Sequence, residues 1–446
     1  MRRTSLVLAG LLAPAALSAQ LPDPSPRALA MGGAYTSLAR GYEAVAWNPA
    51  MLSANGRPGL TIGLPHLSLE VGSNTYNWGD FKKYANHSLS DADKQYLLDQ
   101  IGLDDSVLTV RDIAGISPFG LSIGPFAFAA GTTGDVDFSL GRDAVELALY
   151  GNAARSGPSE FFTARGSRAR GWAATTLAGS FAHAFRIPAG RLSLGVTYKK
   201  TYGHGLARAN ETASSFGINP AFTVTAAGHA IYTNYASDFD PQGPGDILGG
   251  EGTPGSGYGV DVGGVLQLGG SRLTLSAVLV NAFGSMTWDA SRFAYERATF
   301  QVVQTAGGGV QDTLIRTTLQ TEAQINADPI ARAYRDSVLQ NSSFARVLRA
   351  GLAYRRGMLS LAAGGQLRLS EGLDRQPAQQ VSGGAEYRLL HVLPLRAGVA
   401  TDFKSLILSG GTGLQLLGLN IDFSAASISG SERPGVVFGV GAGLIW

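Results

Sequence analysis

A two-residue rhythm constrains this chain more than any other feature, and it returns in segments of about ten residues. At the C-terminus, Trp446, Leu444, Ala442, Val440, Phe438 and Val436 put apolar groups at every second position, while Ile445, Gly443, Gly441, Gly439 and Val437 occupy the other face. Period-two spacing assigns the two sets to opposite faces of a strand. The same alternation runs through Leu192–Lys199, Leu359–Leu369, Val381–Leu389, Leu395–Phe403 and Leu419–Ala425, apolar on one face and polar or small on the other. A single such strand would fit a soluble sandwich. Their number, together with the terminal aromatic, points to an antiparallel transmembrane β-barrel with a lipid-facing apolar surface and a small, polar interior. No stretch beyond the N-terminus comes near eighteen uninterrupted apolar residues, so no transmembrane helix is expected.

Composition agrees. Lys+Arg 35 against Asp+Glu 33 gives a net charge of +2, without the basic excess of a nucleic-acid binder. Charged residues make up 15% and glycines number 60 of 446, as a Gly-rich β structure requires. Cysteine is absent, which excludes disulfides, thiolate catalysis and Cys-ligated metals. Arg2 and Arg3 precede the apolar run Leu6–Leu17, followed by Ser18 and Ala19. A charged start, a short apolar run and a small-residue exit read as a secretory signal peptide for the Sec pathway, the alternative being an N-terminal membrane anchor, for which the run is too short to span a bilayer as a helix. The expected organisation is a signal peptide over 1–19, an N-terminal plug over 20–58 and a barrel over 59–446, located in the outer membrane.

Short turns are expected at Gly131–Asp135, Pro188–Arg191, Gly269–Ser271, Arg355–Gly357, His391–Pro394 and Leu417–Gly418. Longer joins are expected near 72–119, 141–171, 206–257, 297–345, 371–379 and 429–434, with a tight join near Lys404–Ser405. Alternating these gives about fourteen strands, an even number with both ends of the barrel on the periplasmic side. Ala221–Tyr232 fits either a strand pair in an outer loop or two further wall strands. In the first strand the apolar phase moves from Leu60, Ile62 and Leu64 to Leu67, Leu69 and Val71, which predicts a bulge at Pro65. Ser90 with Asp93, and Asp328 before Pro329, open short loop helices expected to pack onto the rim.

The segment before the first strand is extended, small and polar, and alone in lipid it would leave its backbone unpaired. Inside a barrel, lumen groups can satisfy it. It contains Met31-Gly32-Gly33-Ala34-Tyr35 and Trp47-Asn48-Pro49-Ala50. These elements resemble the hatch of the FadL-type superfamily of outer-membrane barrels, which includes long-chain fatty acid and aromatic-hydrocarbon transporters and PorV-like proteins of the type IX secretion system. The specific likeness covers about residues 27–64, and Leu275–Trp288 and Leu147–Asn152 are closest to uncharacterised members of the superfamily. The resemblance implies a fourteen-strand barrel plugged by its N-terminus, with Gly32, Gly33, Asn48, Pro49 and Ala50 as the hatch motif. It identifies no ligand-pocket residues.

The search for chemistry yields little. Gly120-Leu121-Ser122-Ile123-Gly124 matches G-x-S-x-G, but its serine alternates with apolar residues within a strand, whereas a nucleophile elbow needs a strand–turn–helix. Ser180 and His183 have opposite parity, and the six histidines lack metal-ligand spacing. Asp238, Asp240 and Asp246 share a Gly/Pro-rich loop without EF-hand spacing. The expected protein is therefore no enzyme and carries no cofactor or metal. It is a monomeric barrel taking up hydrophobic small molecules, with a PorV-like secretion role or a purely structural barrel as alternatives. Its expected partners are outer-membrane lipid, a hydrophobic small molecule and the barrel-assembly machinery, which would read Phe438, Val440, Ala442, Leu444 and Trp446.

Overall fold

The computed structural model describes residues 25–76, 78–84, 88–101, 107–150, 160–218, 226–237, 250, 252–269, 272–304, 310–340, 342–373, 377–430 and 434–446. The expected signal peptide, His87 and Asp238, Asp240 and Asp246 lie outside them.

The first half of the chain forms β1 (Leu60–Ser73), β2 (Val107–Ile123), β3 (Phe126–Gly141), β4 (Glu160–Phe162), β5 (Arg168–Ile187), β6 (Gly190–Ile218), β7 (Ala226–Ser237), β8 (Gly255–Leu268) and β9 (Leu273–Trp288). After β10 (Phe293–Gln304) and β11 (Val310–Leu319), the wall continues through β12 (Val347–Arg356), β13 (Leu359–Arg368), β14 (Gln379–Leu389), β15 (Leu393–Thr401), β16 (Ser405–Leu416), β17 (Leu419–Gly430) and β18 (Gly435–Ile445). Fourteen of these close an antiparallel barrel in the order β1-β2-β3-β5-β6-β8-β9-β12-β13-β14-β15-β16-β17-β18. The seam pairs β1 with β18, Thr61 opposite Ile445. It is pinned at its end where Gly59 N and Leu60 N donate to Trp446 O at 2.8 and 3.2 Å. This end of the barrel is called the near end, and the opposite end the far end.

The alternation sorts as its chemistry demands. Leu194, Val196, Tyr198, Leu361, Leu367, Val381, Tyr387, Leu395, Val399 and Phe438 are exposed on the outer surface. Their neighbours Ser193, Thr197, Lys199, Ser360, Glu386 and Arg396 are buried inside. An apolar belt outside a closed ladder, whose strands pair backbone to backbone, meets the condition for spanning a bilayer.

The bulge expected at Pro65 is present, since the β1–β18 register shifts between Gly63 and His66. It turns Leu67 and Leu69 outward and His66 inward. The turn expected at Gly131–Asp135 is absent, because those residues lie within β3. Here the outward positions are small (Ala130, Thr132, Gly134), so the lipid-facing signal fades without the strand ending. The chain turns instead at Gly124-Pro125, where Gly124 takes φ +55°. At the other end of the β15 pattern, Phe403 lies in a turn with φ +68° rather than in the strand. Asp402 accepts there from Lys404 N and Ser405 N.

Of the segment Ala221–Tyr232, residues 221–225 lie outside the described residues, and the rest belongs to the single strand β7 rather than to a strand pair or to two wall strands. β7 leaves the wall and pairs with the far-end part of β6, then β10 and β11 follow it in an outer sheet. Two loop helices start as expected. Ser90 and Asp93 form a reciprocal capping box before the helix Asp91–Gln100. The Asp328 carboxylate accepts from Ile330 N and Ala331 N at the start of the helix Pro329–Gln340. Their apolar faces pack inward, with Leu98 against Leu108 and Val145, and Val338 beside Trp172 and Phe344.

Candidate functional site: the interior of the barrel

Residues 25–54 lie against the inward face of the wall and are almost wholly buried. Two different devices hold them. The first is charge. Ser25 caps the short helix Pro26–Ala30, which points Arg27 at Glu386. Arg27 Nε and Nη2 donate to the two Glu386 carboxylate oxygens at 2.9 and 3.0 Å. Glu386 also accepts from Arg396 Nε at 2.8 Å and Arg388 Nε at 3.0 Å, and Arg396 Nη1 reaches Asp422 at 2.6 Å. Burial opposes the charge on Arg27, but Glu386, Tyr35 and Glu43 more than offset it, so its pKa lies well above the ordinary arginine value.

The second device is close backbone approach. Asn48 is extended at φ −161° and caps the 3-10 turn Pro49–Ser53, accepting from Ala50 N at 3.0 Å. Its amide donates to Gly264 O and Ala277 O, at 3.3 and 3.2 Å, on β8 and β9. This contact requires glycine on the wall. A Cβ at Gly263 would stand 2.1 Å from Asn48 Oδ1, and one at Gly195 would stand 2.4 Å from Ala50 N. Ser53 Oγ donates to Ala182 O at 2.8 Å, and Arg191 reaches Ser53 O. The structure thus brings Asn48, Pro49 and Ala50 together against one wall. Gly32 and Gly33 take φ +66° and +80° against the opposite wall, where a Cβ on Gly32 would meet the Val399 backbone at 2.9 Å.

A third polar cluster lies in the wall itself. Lys199 Nζ pairs with Asp261 at 2.7 Å, both side chains 2% exposed, and donates to Asn281 Oδ1 at 3.2 Å. Asn281 adopts φ +53°, a conformation asparagine tolerates, and donates from its backbone N to Asp261 at 2.8 Å. The β8–β9 register shifts at this point, and β9 pairs with β12 only up to Val280. Beyond Val280 the far-end part of β9 keeps ladder partners on the β8 side alone among the described residues. Side chains bridge the other side, with Asn281 Nδ2 donating to Ala345 O and Trp288 Nε1 to Ser342 O.

At the far end, Trp172, Leu206, Val338 and Leu373, with Arg170, Arg208, Ser342 and Glu371, line a cavity of about 250 Å3. Trp172 stacks edge-on against Phe344, with ring centroids 5.4 Å apart.

The remaining expected positions are structural in their surroundings. Ser122 is buried and shares a 2.6 Å hydrogen bond with Thr61. Ser180 bonds Thr197 inside the wall, whereas His183 lies edge-on against Phe185. Among the described residues no group of three His, Cys, Asp or Glu side chains could hold a metal ion. Phe438, Val440 and Trp446 face outward and exposed, and Ala442 and Leu444 share their face with intermediate exposure. The Arg27–Glu386 pair escapes sequence reading because 359 residues separate its members.

No family model matches the chain, and no curated protein matches it either. Among solved structures, it is similar to the toluene transporter TodX of P. putida, at 13% identity and TM-score 0.48, over 94% of this chain and 97% of that one. It is also similar to a FadL homologue of Pseudomonas aeruginosa, at 11% identity and TM-score 0.47, over 97% of this chain and 100% of that one. At these values the fold rests on the ladder itself, a closed barrel of fourteen antiparallel strands.

Proposed function

We propose that the chain is an outer-membrane channel for the passive uptake of hydrophobic small molecules, and that residues 25–58 are its hatch. The observation that carries this reading is the group of apolar side chains Trp172, Leu206, Val338 and Leu373, which share a far-end cavity with Arg170, Arg208, Ser342 and Glu371. A solute that leaves water for that group gains about 25 cal/mol for each Å2 of apolar surface it buries. Onward movement then requires the N-terminal segment to shift, and its bonds to the wall are a limited set of polar clasps. On this reading Asn48-Pro49-Ala50 fixes one end of the hatch, and the near end faces the periplasm. The outward row Phe438, Val440, Ala442, Leu444 and Trp446 is the signal read by the assembly machinery. The name of the toluene transporter fits this class of solute.

The test is flux of toluene and of oleate into liposomes carrying the full barrel. We expect faster entry of at least one of them than into protein-free liposomes. Equal rates for both would overturn the reading.

A second reading, a PorV-like role in handling exported protein, is favoured by one feature. Strand β11 is an outer strand of the far-end sheet that exposes Leu314 at 56% and Ile315 at 54% on its two faces. Such an edge suits strand addition by a partner chain. A full barrel that passes neither toluene nor oleate but loses a co-purifying exported protein on deletion of residues 305–319 would favour this role over uptake.

A further inference from the structure

Arginines are concentrated beside the apolar side chains of the far-end cavity. Arg168, Arg170, Arg208 and Arg368, with Asn210 and Glu371, line an adjoining space of about 520 Å3. The strand geometry puts them there. Arg168 and Arg170 are two residues apart on β5, on the face that carries Trp172 inward. Arg208 stands directly opposite Arg170 on β6, and Arg168 opposite Asn210. A one-residue irregularity opposite Ala173/Ala174 sets this register, so Leu206 and Arg208 share the inward face. The Tyr334 hydroxyl fixes the strand from above by donating to Arg208 O at 3.2 Å.

Two like charges placed directly across a ladder destabilise it unless an anion lies between them. Arg368 has its carboxylate, Glu371, at 2.7 Å. Among the described residues no carboxylate pairs with Arg168, Arg170 or Arg208. Asp137, opposite Arg170 on β3, is 2% exposed and is itself engaged by a partner. A second observation points the same way. Trp172 is 7% exposed, its Nε1 has no hydrogen-bond partner, and the residue lines the same cavity as Arg170 and Arg208.

We infer that this mouth is a binding site for an amphiphile with a doubly charged anionic head, an alkyl or aryl phosphate monoester or a vicinal dicarboxylate. The head lies among Arg168, Arg170 and Arg208, and the apolar body lies on Trp172, Leu206, Val338 and Leu373. Guanidinium forks bond such oxyanions in bidentate fashion, and three of them match two negative charges better than one. The inference rests on the uptake reading for the passage of the bound solute, since it names the class of solute that enters the same cavity.

Binding of octyl phosphate, octanoate and octanol is measured by calorimetry on the full barrel in lipid nanodiscs at pH 8, with empty nanodiscs as the blank. Octyl phosphate is close to a dianion at that pH. It is expected to bind about tenfold more tightly than octanoate, with octanol showing no saturable binding and higher salt weakening only the two anions. The double substitution Arg170→Gln with Arg208→Gln is expected to lower octyl phosphate affinity about tenfold or more, without loss of thermal stability. Equal affinities for octyl phosphate and octanol, or an affinity insensitive to salt, would overturn the inference even if the double variant failed to fold. Competition by inorganic phosphate at the same concentration as octyl phosphate would overturn the amphiphile and leave a site for a bare anion. A barrel that binds octyl phosphate in this way but passes neither toluene nor oleate overturns the uptake reading alone. One that passes them but does not discriminate between the three probes overturns this inference alone.

Discussion

The two halves of the wall are built to different lengths. The C-terminal strands β12 to β18 contain 10, 10, 11, 9, 12, 12 and 11 residues. A tilted strand needs about 9–11 residues to cross a bilayer, so this half does little more than cross. The N-terminal wall strands β1, β2, β3, β5, β6, β8 and β9 contain 14, 17, 16, 20, 29, 14 and 16 residues. Their excess rises past the far end, supports the outer sheet of β7, β10 and β11, and carries Arg168, Arg170 and Arg208. Lipid fixes the length of one half, and the far-end mouth fixes that of the other. The interior segment ties the two together. Its first part is held by charge on β14 and β15, and its second part by backbone proximity to β6, β8 and β9.

The sharpest way to break this arrangement is to remove the anion at its charged clasp. Glu386→Ala leaves Arg27, Arg388 and Arg396 without the carboxylate that all three bond, and Asp422 and Glu43 remain near them. Uncompensated buried charge costs about 3–5 kcal/mol. Release of residues 25–58 to protease and a lowered unfolding temperature are expected, whereas unchanged protection would show that the charges do not hold the segment.

The length comparison itself can be tested with two leucines of equal exposure. Leu408 on β16 and Leu314 on β11 are both 56% exposed. If only the first faces lipid, Leu408→Arg costs about 2–4 kcal/mol near the membrane midplane, and Leu314→Arg changes stability by less than about 0.5 kcal/mol. Similar effects of the two substitutions, read as unfolding free energies in lipid vesicles, would place the outer sheet within the bilayer and undo the comparison.

At the second attachment of the segment, Asn48→Ala removes a cap and two bonds to wall carbonyls. Leaving buried partners unpaired costs about 1–3 kcal/mol. The expected result is faster proteolysis confined to the part of the segment near Pro49, with the Arg27 end still protected. Simultaneous release of both parts would mean that the segment moves as one body.

Much of this was legible in the sequence because lipid imposes a period that side chains must obey. The strands of the C-terminal half, the bulge at Pro65 and the Asn48 turn follow from that period and from local backbone preference. The outer sheet was harder to read. Thr299–Gln304 and Thr313–Thr318 mix apolar and polar residues on both faces, so no apolar face announces them. The clasp at Glu386 was not legible. A glutamate at an inward position indicates only a polar lumen, and its partner Arg27 is fixed by closure of the whole barrel. The mouth arginines share this character, since their convergence depends on the register between β5 and β6 and not on any local motif.

The smallest effect tests whether the far-end cap is energetically separate from the short-stranded half. Asp328 opens the helix Pro329–Gln340, which covers the mouth, and the backbone N–H groups of Ala331 and Ile330 hold its carboxyl below the ordinary value of 3.8. A depressed carboxyl pKa stabilises the folded state above the unfolded value, and that contribution disappears as pH falls through the folded one. Hydrogen exchange in residues 329–340 should therefore rise as pH is lowered below 3.8, after correction for intrinsic rates, while exchange in β13 and β14 stays level. In Asp328→Asn the cap acceptor remains and the charge is gone, so the rise should vanish with a stability change of less than about 0.5 kcal/mol. A parallel rise in β13 and β14 of the unsubstituted protein would mean that the cap and the short-stranded wall unfold together, and the two halves would then be a single cooperative unit.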